Sequence, residues 1–229
     1  MKQIDSHGEF VIRARCLVEY NGEESDVIVP DGIRMIGTTA FNRCQGLTSV
    51  ILPESVKVIK YEAFDMCTEL KYVKLPKRME SIEDRAFDTC ARLTEIELPE
   101  GITEIGVETF ARCKNLKFVK IPRSVNLIKE GAFLCCESLE RVEFNNKELV
   151  LENEAFGGCS ALKEVVYPEG GIKSAASDAF EGTLWEKLVK EKTEKIREER
   201  EMNGRCVWCG GTFTFFMKKC KNCGLSKNY

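Results

Sequence analysis

A single histidine, His7, occurs among 229 residues, which nearly excludes histidine-based acid–base catalysis and histidine-rich metal sites. No stretch approaches the ~20 apolar residues of a membrane helix. The opening MKQIDSHGEF also lacks the apolar core of a secretory leader. These absences predict a cytoplasmic protein whose thiols are reduced or bound to metal. Paired carboxylates, a Gly-rich phosphate loop and a nucleophile–base–orienter set are likewise missing, so the expectation is a protein that is not an enzyme and takes no small-molecule substrate. The net charge of −3 is too small for bulk capture of a polyanion. What is oversupplied is cysteine, twelve in all.

Self-similarity organises the chain. Phe41, Phe64, Phe87, Phe110, Phe133 and Phe156 recur at every twenty-third position, and Phe180 follows one position late. Three residues past the first six stand Cys44, Cys67, Cys90, Cys113, Cys136 and Cys159, and three further on Leu47, Leu70, Leu93, Leu116, Leu139 and Leu162. Ile36, Ile59, Ile82, Ile105, Ile128 and Leu151 lie five before the phenylalanines, and Pro53, Pro76, Pro99, Pro122 and Pro168 close the units, with Asn145 breaking the series once. The third copy reads Ile82-x3-Ala86-Phe87-x2-Cys90-x2-Leu93-x2-Ile96-x-Leu98-Pro99.

This pattern resembles the BspA-like leucine-rich repeat family, whose motif is I-G-x-x-A-F-x-x-C-x-x-L-x-x-V-x-L-P, over roughly residues 9 to 182. Gly37 and Gly106 keep the family glycine, Lys60, Glu83 and Lys129 replace it, and Thr109 replaces the alanine. The resemblance implies surface or host-interacting proteins, whereas the missing leader points to the cytoplasm.

Physical reasoning gives the same fold class: an α/β repeat solenoid, mostly β, with 23-residue coils. Val50 and Leu52, Val73 and Leu75, Ile96 and Leu98, Val119 and Ile121, Val142 and Phe144 alternate with polar residues and predict one short inward-facing strand per coil. No coil buries its own face, so several must stack. The solenoid is expected over residues 1–182, with an N-terminal cap to about residue 30 built on Phe10–Ile12 and Cys16–Tyr20. The recurring cysteines read as small buried hydrophobes, leaving Cys16 and Cys135 as the candidate exposed thiols.

Residues 183–203 predict a charged helix. Leu184, Trp185, Leu188 and Val189 are spaced to close the stack, and Lys190–Glu194, Glu191–Lys195 and Lys195–Glu199 are i,i+4 pairs. Residues 204–229 form a separate module. Cys206-x2-Cys209-x10-Cys220-x2-Cys223 suits one structural zinc ion held by four thiolates, although iron uses similar knuckles. With Gly210 and Gly224 after the knuckles it resembles a small zinc ribbon, which makes those four cysteines the ligands.

Charge is unevenly spread. Residues 204–229 carry +5 and residues 183–203 balance, leaving −8 on residues 1–182. One outward strand column is Ser49, Tyr72, Glu95, Phe118, Arg141 and Glu164; the next is Ile51, Lys74, Glu97, Lys120, Glu143 and Val166. The alternating signs of the second predict a cross-strand ladder. Tyr72 and Phe118, with Lys74, Lys120 and Arg141, are the candidate contacts for a protein partner. The favoured function is a protein–protein interaction scaffold. The alternative is a nucleic-acid adaptor using Lys218, Lys219 and Lys221 of the ribbon.

Overall fold

Side chains that recur once per coil come to lie above one another, and the phenylalanines show it most plainly. In the computed structural model, which describes residues 3–4, 9–203 and 205, the rings from Phe41 to Phe180 form one stack. Centroid spacings are 4.8 to 5.4 Å and interplanar angles 2 to 12°. Tyr20 and Phe10 continue the stack at its start and Trp185 at its end, with tilts of 33 to 50°. The tilted rings mark the caps expected of a solenoid.

Three bonded walls surround this stack. The strand wall begins as expected: Asp26–Ile28 pairs in parallel with Ser49–Ile51, and that with Tyr72–Lys74. Phe118–Ile121, Arg141–Phe144 and Glu164–Val166 form a second group. A further set of two-residue strands, not read from the sequence, lies at the isoleucines. Met35–Ile36, Val58–Ile59 and Ser81–Ile82 extend the N-terminal hairpin of Phe10–Arg13 and Cys16–Tyr20. Glu104–Ile105, Leu127–Ile128, Val150–Leu151 and Ser174–Ala175 continue it as a separate sheet.

The third wall contains the phenylalanines and has no regular strand. From Phe41 to Phe156, the residues two before and two after each Phe adopt left-handed backbone, among them Glu62, Met66, Arg85, Thr89, Glu108 and Arg112, with φ of 48 to 59°. Such conformations cost L-residues ~1–2 kcal/mol each. Here each turns its N–H onto a carbonyl of the next coil, as in Arg85 to Val107, Thr89 to Ala111 and Arg112 to Leu134 at 2.7 to 2.9 Å. The Phe N–H between them does the same, Phe87 donating to Thr109 at 2.9 Å. An inter-coil hydrogen bond offsets each strained residue.

One expectation fails. Ile96 and Leu98 point inward and are buried, yet residues 95–98 form no strand and make no backbone hydrogen bond among the described residues. Their coil is the only one whose two outward strand residues, Glu95 and Glu97, are both acidic, and glutamate is depleted in strands. The sheets on both β walls are interrupted at this coil, while the phenylalanine wall runs on.

Departures from the repeat have local causes. Glu83 and Glu152 accept the N–H of Tyr61 and Glu130 in the preceding coil, at 3.0 and 3.1 Å. The next coil offers Val107 no acid there, so Asp84 of the previous coil accepts its N–H at 2.8 Å. A Cβ on Gly106 would lie 2.3 Å from that Asp84 oxygen, which explains the glycine. Asn145, standing where proline is expected, donates to the Ile121 carbonyl at 3.0 Å. Thr109 has no such compensation, because its hydroxyl is fully buried without a hydrogen-bond partner among the described residues.

The cysteines are more than small hydrophobes. Cys67, Cys90, Cys113, Cys136 and Cys159 are buried, and each thiol donates to a Phe carbonyl of the preceding coil at 3.0 to 3.3 Å. Burial pushes the thiols of Cys67, Cys90, Cys113 and Cys136 well up, so they stay protonated. Cys44 departs from the expected ladder by being only half-buried, as are Cys16 and Cys135. It belongs to the first full copy and has no earlier Phe of the series beneath it.

The chain divides into two compact units, Met1–Trp185 and Glu186–Tyr229. Of the residues expected to close the stack, Trp185 does so, 4.8 Å from Phe180, whereas Leu184 beside it is exposed. The helix Leu184–Met202 buries no residue and carries an ion pair between Glu186 and Lys190. Asn203 ends it by donating both its backbone and side-chain N–H to the Glu199 carbonyl. No helix among the described residues is long and apolar enough to cross a membrane.

Two outcomes are expected. Thr109→Ala removes a buried, unsatisfied hydroxyl and should stabilise the solenoid by about 1–2 kcal/mol in urea unfolding; destabilisation would contradict this account of the column. In native thiol labelling of residues 1–203, Cys16, Cys44 and Cys135 should react, while the five hydrogen-bonded thiols stay silent until unfolding. Rapid modification of Cys90 or Cys113 would refute the ladder.

Candidate partner-binding face

Ion pairs between coils tie together charged side chains on several faces of the solenoid. On the phenylalanine wall Arg85 reaches Glu62 and Glu108 at 4.0 and 3.2 Å, and Arg112 reaches Glu108 and Asp88 at 3.0 and 2.5 Å. Asp65 accepts from Asn42 at 3.1 Å, and burial together with Asp88 keeps its carboxyl above the ordinary value. This network was not foreseen, although the once-per-coil recurrence of Glu62, Arg85 and Glu108 signals it. Elsewhere Glu69–Arg92, Lys114–Glu137 and Glu140–Lys163 also join neighbouring coils.

The outward columns of the strand wall divide differently. At the C-terminal end Arg141 is engaged with Glu143 and with Glu164. Its guanidinium is bonded within the fold and stays 41% exposed. The first of these bonds removes Glu143 from the expected Lys74–Glu97–Lys120–Glu143 ladder. No ion pair joins the other three members among the described residues. Their side chains sit on and beside the unladdered segment 95–98.

Between these regions lies an unneutralised patch. Tyr72 and Phe118 are 42% and 41% exposed, and no aromatic ring among the described residues contacts either. Lys71 and Lys74 flank the first, Lys117 and Lys120 the second, and Glu95 and Glu97 lie on the coil between. All six charged residues are exposed, and among the described residues none has an ion-pair partner. Of the five residues expected to contact a partner, four therefore fall together: Tyr72, Lys74, Phe118 and Lys120. Sequence reasoning passed over Ile28, 71% exposed, which pairs with Ile51, 37% exposed, on the same outward column. Its place one repeat before Ile51 was the available signal.

Cys206, Cys209, Cys220 and Cys223, and Lys218, Lys219 and Lys221, lie outside the described residues. Among the described residues no group of three or more His, Cys, Asp or Glu side chains is placed to hold a metal ion.

The model of the BspA type leucine rich repeat region matches residues 18–134 and 80–200, in six copies. The leucine-rich repeat protein of T. pallidum, TpLRR, has a similar structure, with 29% identity and a TM-score of 0.71 over 86% of this chain and 92% of that one. The pneumococcal vaccine antigen PcpA shares the fold at 20% identity and a TM-score of 0.62, over 76% of this chain and 45% of the antigen. No curated protein matches.

If residues 95–98 lack a ladder, their amides should exchange hydrogen faster than those of Val119 and Val142 in the neighbouring strands. Equal protection across the three coils would contradict the interruption.

Proposed function

The chain belongs to the BspA-type leucine-rich repeat family, and we propose that it is a protein–protein interaction scaffold whose partner docks on the strand face at Tyr72 and Phe118. The carrying observation is local: two exposed aromatics stand on the same outward column, surrounded by six exposed charged residues of which none has an ion-pair partner among the described residues. Exposed aromatics give a sheet little stability, and buried aromatics dominate the energy of interfaces.

The C-terminal module is proposed to hold one structural zinc ion through Cys206, Cys209, Cys220 and Cys223, by the chemistry of four closely spaced thiolates. Metal binding would supply much of the folding energy of so small a module. The lysines of that module, Lys218, Lys219 and Lys221, offer the competing surface, for a nucleic acid.

Affinity capture from the source organism with the full chain separates the two readings. Tyr72→Ala with Phe118→Ala should abolish recovery of the partner, because each buried interfacial aromatic is worth ~2 kcal/mol or more. The melting temperature should be unchanged, since both side chains leave the sheet outward. Undiminished recovery by this variant, together with loss on Lys218→Ala and Lys219→Ala, would transfer the function to the C-terminal module.

A further inference from the structure

We propose that Tyr72, Glu95 and Phe118 form a clamp for one guanidinium group, presented by a partner segment in which acidic residues flank an arginine. The inference rests on the strand-face reading above and names the chemistry that face recognises.

Glu95 lies one repeat after Tyr72 and one repeat before Phe118. Next to it Thr94 donates its N–H to the Lys71 carbonyl and accepts from the Lys117 N–H, both at 3.4 Å, which aligns the three coils so that the three side chains share one outward column. The phenylalanine wall keeps these coils stacked, with ring spacings of 5.1 Å from Phe64 to Phe87 and 5.4 Å from Phe87 to Phe110. Two coil spacings put the stems of Tyr72 and Phe118 about 10 Å apart. A cation seated on the Glu95 carboxylate, midway between, lies about 5 Å from each ring position, within the ~6 Å reach of a cation–π interaction. A planar guanidinium meets both demands, since it stacks on aromatic faces and forks onto a carboxylate.

Glu97 is not equivalent. Lys74 and Lys120 hold the corresponding positions on either side of it, whereas Glu95 has only the two aromatics as in-register neighbours. Lys71, Lys74, Lys117 and Lys120 therefore stand at the four corners of the clamp, all exposed and all without an ion-pair partner among the described residues. A polybasic partner is repelled by these corners. A segment with carboxylates beside its arginine places negative charge against them while the guanidinium enters the centre.

The test uses the full chain, isotope-labelled for NMR, and a synthetic peptide carrying one arginine between two pairs of aspartates. A second peptide replaces the arginine with citrulline, which keeps the shape and loses the charge. The arginine peptide should shift the amide signals of residues 94–97 and bind about tenfold more tightly than the citrulline peptide. Glu95→Gln should abolish that difference with an unchanged melting temperature, and Phe118→Leu should reduce arginine-peptide affinity severalfold. Equal binding of the two peptides, no binding of the arginine peptide, or a Glu95→Gln variant that still discriminates would each overturn the clamp. The two levels of the argument fail differently. A partner lost on Tyr72→Ala with Phe118→Ala but retained by Glu95→Gln removes the clamp and leaves the docking face, whereas retention by both variants removes the face itself.

Discussion

Every side chain of the solenoid must tolerate a near-copy of itself, or its complement, about 5 Å away in the next coil. That constraint follows from the strict repeat register, and the rest of the structure answers to it. Phenylalanine satisfies it by stacking parallel rings. The buried cysteines satisfy it with a side chain small enough to repeat and a thiol that donates to the phenylalanine carbonyl of the coil before. Charge satisfies it by alternating sign, because like charges at this spacing repel. Glu62, Arg85 and Glu108 follow that rule on one wall, and Glu140–Lys163 and Arg141–Glu164 on another.

The same constraint shows why the walls differ in continuity. On the phenylalanine wall, three N–H groups of a coil reach across to the next, two of them from left-handed residues. That bonding belongs to the backbone and is indifferent to the outward side chains, so it survives where the strand ladder fails. The strand wall depends on extended residues that favour extension. Where Glu95 and Glu97 stand outward together the ladder is lost, although Ile96 and Leu98 remain inside. Burial and hydrogen bonding are thus separable in this coil.

Much of this was legible in the sequence because the register is strict. The coils, most of the inward residues and the outward place of Tyr72 and Phe118 follow from counting, and the strands at Phe10–Ile12 and Cys16–Tyr20 from their apolar pattern, though not their antiparallel pairing. What escaped depends on interactions that cross the register. The bond from Arg141 to Glu143 runs along one strand, so no column of the repeat displays it. The thiol donation, as from Cys90 to Phe64, overshoots one repeat by three positions, so no column displays it. Whether Glu83 replaces a glycine harmlessly depends on a backbone N–H in the preceding coil, which spacing alone does not reveal. The isoleucine ladders are two residues long, too short for alternation to mark them as strands.

In this account the strand face is set apart by Tyr72 and Phe118, exposed among charged residues that no ion pair among the described residues engages. Surface ion pairs add little stability singly, so the aromatics at the centre of the face carry the proposed binding energy and the charges around them its complementarity. Carboxylate and lysine footprinting of the full chain, with and without its captured partner, tests that claim most directly. Protection on binding should concentrate at Lys71, Lys74, Glu95, Glu97, Lys117 and Lys120. Protection centred instead on Glu62, Asp88 and Glu108, or on residues 204–229, with the strand face still fully reactive, would contradict it.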